Sequence, residues 1–88
     1  MAEKLIELES IDAALALFGT FDENVRILEK EFEIAAVSRG TELKLSGTPQ
    51  RVDQAARAVE AMLRLIRNGT PIEEQTLRYC ISLASSGD

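Results

Sequence analysis

Apolar and polar residues alternate from Lys4 to Glu9, with Ile6 and Leu8 set against Glu7 and Glu9, which predicts a strand with one buried face. Ser10 then stands where a helix cap is favoured, and Ile11 to Phe18 is rich in Ala and Leu, so a short helix is expected there, stopped by Gly19. A second helix begins within Gly19-Thr20-Phe21-Asp22-Glu23-Asn24. Thr20 and Glu23 have capping-box spacing, and Asp22 is an alternative cap. Phe21, Val25, Leu28 and Phe32 recur at helical spacing and predict its inner face. Two short strands follow, Ile34 to Ser38 and Glu42 to Ser46. The second places Leu43 and Leu45 inside and Glu42, Lys44 and Ser46 outside, and Arg39-Gly40-Thr41 turns between them as a hairpin.

Thr48-Pro49 signals the next helix, with Thr48 as cap and Pro49 at the first position, where its missing N–H is tolerated. Val52, Ala55, Ala56, Val59, Met62, Leu63 and Ile66 give this helix a broad apolar stripe to about Arg67, and Asn68-Gly69 ends it. Asp53–Arg57 and Glu60–Arg64 are acid-before-base pairs one turn apart, each expected to contribute about 0.2–0.5 kcal/mol. Thr70 and Glu73 repeat the capping-box spacing before a last helix to about Ser85, with Ile72, Thr76, Leu77, Cys80, Leu83 and Ala84 inward. The order β-α-α-β-β-α plus one helix predicts an α+β fold, a mainly antiparallel three-stranded sheet packed on helices. Ile6, Leu8, Leu15, Val25, Leu28, Phe32, Leu43, Leu45, Val59, Leu63 and Ile66 are the expected core. Residues 1–84 form one domain in this reading, and 85–88 have the composition of a linker.

The chain has 88 residues, 45% of them apolar and 28% charged, which fits one folded domain and not a disordered chain. It contains no His, so His-dependent nucleophilic catalysis is excluded, and one Cys with carboxylates cannot build a structural zinc site. Cys80 has no disulfide partner and is expected to be buried and inert, as in a cytoplasmic protein. No apolar run approaches the roughly 20 residues of a membrane span. Glycine-rich phosphate loops are missing, and Glu29 with Glu33 or Glu73 with Glu74 are expected to be solvated helix faces. No catalytic residue, cofactor or metal site is therefore expected within these residues. The net charge of −5 is uneven: Met1–Glu33 holds nine acids and three bases, and the remainder six acids and seven bases. Acidity thus opposes a general nucleic-acid clamp but leaves room for a local basic rim of Arg26, Lys30, Arg39 and Lys44. Gly19 lets the backbone pass close to a ligand, beside the N–H groups at the start of the second helix; a plain helix connector is the alternative.

Leu17-Phe18-Gly19-Thr20-Phe21-Asp22-Glu23-Asn24 with Arg26-Ile27-Leu28-Glu29, and the hairpin Ser38 to Gly47, resemble the N-terminal domain of the PhoH family, and the likeness covers roughly Leu5 to Ala84. It implies a KH-like βααββα module. In KH modules a GXXG loop between the first two helices clamps nucleotide backbone. The matching loop is Gly19-Thr20-Phe21-Asp22, which departs from the pattern by placing a carboxylate at the fourth position. The resemblance implies a cytoplasmic protein linked to phosphate starvation and RNA metabolism, whose P-loop ATPase domain, with ATP and Mg²⁺, lies outside these residues. The implied role is an RNA-binding or RNA-guiding module, with Gly19, Thr20, Phe21, Asp22, Asn24, Arg26, Lys30, Arg39 and Lys44 as candidate contacts. The implied partners are single-stranded RNA and the ATPase domain of the same chain. A degenerate KH-like fold that serves protein contact or homo-oligomerisation is the other reading.

Overall fold

A computed structural model describes residues 1–85. The chain runs β1 (Ala2–Glu7), α1 (Ile11–Phe18), a single 3₁₀ turn (Thr20–Asp22), α2 (Glu23–Phe32), β2 (Ala35–Arg39), β3 (Glu42–Gly47), α3 (Pro49–Arg67) and α4 (Glu74–Ser85). The strands form one antiparallel sheet in the order β1-β3-β2. The fold is α+β with the β-α-α-β-β-α order and the added helix that the sequence predicts. The linker expected at 85–88 lies outside the described residues apart from Ser85, which closes α4.

Strand β3 is central, and its alternation is the cleanest of the three. Leu43 and Leu45 are buried toward the helices, and Lys44 is turned to solvent. The register puts Lys4, Leu45 and Ala36 in one row on the helix side and Leu5, Lys44 and Val37 in the next row on the open side. Gly40 supplies the positive φ of 58° in the two-residue hairpin turn after Arg39. At the far end of β3, a Cβ on Gly47 would lie 2.9 Å from Cγ2 of Ile34, so glycine lets the chain leaving α2 cross close to the sheet.

Helix α3 packs against α1, α2, α4, β1 and β3. Its buried side is therefore wider than the predicted stripe and takes in Ala58 as well as Val52, Ala55, Ala56, Val59 and Met62. The small residues let several elements approach one helix. Its C-terminus closes as a Schellman motif: the N–H of Gly69, at φ 82°, donates to Ile66 O, and the N–H of Thr70 donates to Leu65 O.

Several expectations are corrected. Leu15 is 63% exposed, and α1 buries Ala14, Leu17 and Phe18 instead. Its run of Ala and Leu is apolar all round, so spacing alone does not select a face. Phe21 is off the inner face of α2, because that helix starts two residues later, at Glu23. Helix α4 turns Ile81 inward and leaves Leu83 exposed. Strand β1 ends at Glu7, although the Leu8 N–H still bonds Thr41 O. Ile6, Leu63 and Ile66 pack on the core only partly buried. Ser10 caps α1 as predicted, accepting from the Ala13 N–H at 3.1 Å. Thr48 and Asp22 occupy cap positions without a side-chain cap hydrogen bond. Helix α4 starts past the Thr70–Glu73 box, with Glu73 O accepting from the Leu77 N–H.

The uneven charge resolves into long-range neutralisation. Among the described residues, four ion pairs join an acid of the leading segment to a base of the trailing one: Glu3–Lys44, Glu33–Arg51, Glu9–Arg67 and Glu31–Arg78. The i,i+4 pairs predicted on α3 do not form; among the described residues the one such pair is Glu74–Arg78 on α4. Each is a surface pair of about 0–1 kcal/mol, so they tune the register of elements more than they hold the fold.

Candidate nucleic-acid interface

The turn between α1 and α2 is built on three backbones of positive φ: Gly19 (81°), Phe21 (52°) and Asp22 (58°). Gly19 has ψ 178°, which departs from the left-handed helical cap expected of it, and its N–H donates to Leu15 O at 3.0 Å. A weak bond from the Asp22 N–H to Gly19 O, at 3.2 Å, closes the turn. Asn24 is 4% exposed and donates through Nδ2 to Leu17 O at 3.1 Å, tying the first turn of α2 to the last carbonyls of α1. That staple passes directly over Gly19, where a Cβ would sit 2.8 Å from Asn24 Nδ2.

Asp22 does not cap α2. Its carboxylate accepts a 2.9 Å hydrogen bond from the Ser38 hydroxyl on β2. Two turns further along α2, Glu29 accepts from the Ala36 N–H at 2.9 Å. Ala36 and Ser38 are alternate residues of an edge strand. Because the Ala36 N–H points away from β3, that of Ser38 does too. Glu29 thus takes up an edge N–H of β2 and Asp22 a side chain of the same strand, a form of edge protection; Lys4, an exposed charge on β1, is the counterpart at the other edge. Glu29 is therefore not the solvated helix face expected of it with Glu33: it is half-buried and committed to β2, while Glu33 is exposed. Neither this bond nor the Asp22–Ser38 one is announced locally, since the partners stand 7 and 16 positions apart.

Arg26 lies one turn past Asp22 and one before Glu29, hence on the α2 stripe that follows β2. Arg26, Lys30 and Arg39 are exposed and make no ion pair among the described residues, whereas Lys44 sits on the open sheet face, paired with Glu3 at 3.4 Å. The structure thus groups Gly19, Thr20, Phe21 and Asp22 with Arg26 and Lys30 along α2. It sets Arg39 with Lys44 on the open sheet face, beside Leu5 and Val37, and turns the Asn24 side chain inward.

Away from this seam, β1 and α3 border a depression of about 270 Å³ lined by Leu8, Ala13, Leu63 and Ile66, with the Glu9–Arg67 pair at its rim. No helix among the described residues is long and apolar enough to cross a membrane. Cys80 is buried. Burial pushes its thiol above the ordinary range, and the Arg64 guanidinium opposes this in part. The unfolded chain then loses the thiol proton at lower pH than the folded one. This contribution to stability is intact below the ordinary thiol range and is lost as pH rises through and beyond it. Urea unfolding of wild type and Cys80→Val across that range is expected to show the steeper alkaline loss in wild type, and a thiol reagent is expected to label Cys80 only after unfolding.

Comparison with known proteins finds a PhoH-like protein of Bacillus subtilis (strain 168), 32% identical over 82 residues, which are 93% of this chain and 26% of the relative. A PhoH-like protein of Mycobacterium leprae (strain TN) is 29% identical over 72 residues, 82% of this chain and 21% of the relative. One of Mycobacterium tuberculosis (strain CDC 1551 / Oshkosh) is 26% identical over 72 residues, 82% of this chain and 20% of the relative. The chain spans about a fifth to a quarter of the length of these relatives. No family model matches the chain, and no solved structure matches it significantly. Along nearly its whole length the chain is related in sequence to PhoH-like proteins, as its loop and hairpin motifs imply.

Proposed function

We propose that this part of a PhoH-like protein is a non-catalytic, KH-like module that contacts single-stranded RNA and guides it to an ATPase domain elsewhere in a longer, cytoplasmic chain. The observation that carries this reading is the seam between α2 and β2. There a glycine turn joins the two helices, and Arg26 and Lys30 are exposed and unpaired along α2, with Arg39 unpaired on the neighbouring strand, whereas four of the other seven bases neutralise acids among the described residues. Such cations take phosphates. ATP and Mg²⁺ belong, in this reading, to the remainder of the protein.

A second reading, contact with protein or with another copy, is favoured by the open sheet face, where Leu5 and Val37 are each more than half exposed on either side of Lys44. Amide shifts of the chain titrated with single-stranded RNA at low salt test both. The RNA reading expects movement from Gly19 to Arg26 and at Ser38 and Arg39, weakening as salt is raised. No movement there overturns it. Shifts that instead depend on protein concentration alone, along the Leu5–Lys44–Val37 row, would establish the second.

A further inference from the structure

We propose that the loop between α1 and α2 holds a nucleobase and not a phosphate, with Phe21 as the stacking surface. The proposal rests on the RNA reading above and names what its loop recognises.

Phe21 is 87% exposed and has φ 52° and ψ 36°. A bulky side chain in the left-handed region is an outlier, and such strain persists only where the surroundings over-determine it. Here they do. The turn is closed from Gly19 O, stapled from Asn24 to Leu17 O, and latched from Asp22 to Ser38. Phe21 thus carries two features that oppose folding stability, an apolar ring in water and an unfavourable backbone, and its ring contributes no packing in return. Tyr79, also exposed, sits in ordinary helix, so exposure there comes without strain.

A flat apolar ring on a fixed backbone at a loop tip, with unpaired cations on the adjoining helix, has the form of a base-stacking platform. The fixed backbone matters because that part of the ordering cost is met before the ligand arrives. Asp22 decides between base and phosphate. Its carboxylate is fixed one residue from the ring by the Ser38 hydroxyl, and it repels a phosphate at that point while leaving the ring face clear. Arg26, exposed one turn along α2 from Asp22, is placed to take a phosphate next to the stacked nucleotide. Recognition of this kind tolerates different sequences, since every base has a π-face.

The test uses a short single-stranded RNA and an abasic oligomer with the same number of phosphates. Phe21→Ala is expected to weaken RNA binding by roughly 5- to 150-fold, the range for one stacked base, and to leave binding of the abasic oligomer unchanged. Phe21→Trp, which introduces the only indole in the chain, is expected to bind RNA like wild type, with its fluorescence quenched on binding. Since Phe21 is exposed, both variants are expected to melt like wild type. If wild type binds RNA and Phe21→Ala binds it equally well, or if the Phe21→Trp indole is not quenched, stacking is overturned and the RNA reading stands. If wild type binds neither oligomer, the RNA reading falls and stacking falls with it.

Discussion

Leu45→Ala is expected to remove about 2–5 kcal/mol of folding stability, the range for deleting a fully buried leucine side chain. Leu45 has no exposed surface and lies mid-way along the central strand, in register with Lys4 on one side and Ala36 on the other, beneath the helices. Neither neighbour in that row can fill the space, since alanine is already small and Lys4 must keep its charge in water. The cavity therefore stays open, which places the effect in the upper part of the range. A domain of this size is typically stable by only about 5–10 kcal/mol, so the variant should be close to unfolded at physiological temperature. Leu63→Ala provides the contrast. Leu63 is only partly buried and borders the open depression beside β1, so its loss is expected to be about 1–2 kcal/mol, mostly the transfer of area already near water. Urea denaturation with an unchanged m-value would read both. Near-equal effects would mean that the depression is filled and that Leu63 belongs to the closed core.

This contrast also marks what could be read from the sequence. Strand β3 and helix α3 were legible because each carries an unambiguous period, two for Leu43 and Leu45 and 3.6 for Val52 to Met62. The ends of these elements were legible because Pro49 presets the φ of a first helical turn, while Gly40 and Gly69 readily take the positive φ that a tight turn and a helix end require. Helix α1 was legible as a helix but not as a face, since apolar residues all round it give no phase, and Leu15 was exchanged for Leu17. Phe21 matched the α2 period by coincidence. Its backbone conformation is set by the turn, and the turn is set by two contacts that spacing does not encode, Asn24 with Leu17 and Asp22 with Ser38. The candidate site was thus legible as a location, from Gly19 and its neighbours. Which way its side chains point was not, because orientation depends on a strand that comes 16 residues after Asp22.

The charge pattern shows the same division. Nine acids in the first 33 residues look like a repulsive surface until the fold brings Lys44, Arg51, Arg67 and Arg78 to four of them. Arg26, Lys30 and Arg39 stay unpaired among the described residues, as do Lys4, Arg57 and Arg64; what sets Arg26 and Lys30 apart is their place on α2, beyond the Gly19 turn.

Gly19→Ala is the second large effect, expected to cost about 2–6 kcal/mol through two separable causes. The first is backbone conformation: φ 81° with ψ 178° is a region essentially reserved for glycine, about 1–3 kcal/mol for a residue with a Cβ. The second is collision, because the new methyl would stand 2.8 Å from Asn24 Nδ2 and 2.9 Å from Asn24 Cγ. Asn24 cannot yield freely, since its amide is buried and its donor is committed to Leu17 O. Moving it leaves that carbonyl and the amide without their partners, a penalty of about 1–3 kcal/mol. A double-mutant cycle separates the two causes. Asn24→Ala alone is expected to destabilise by about 1–3 kcal/mol, as the loss of a buried hydrogen bond. In the Asn24→Ala background the collision is gone, so Gly19→Ala should then cost only the backbone part, about 1–3 kcal/mol. The two variants are thus expected to be less than additive, with a coupling of about 1 kcal/mol or more. Strict additivity would mean that Gly19 is required for its φ alone and that Asn24 does not press on it. In that case the turn, including the left-handed Phe21, is held chiefly by the Asp22–Ser38 bond, and Ser38→Ala, not Asn24→Ala, should be the variant that loosens it in amide exchange.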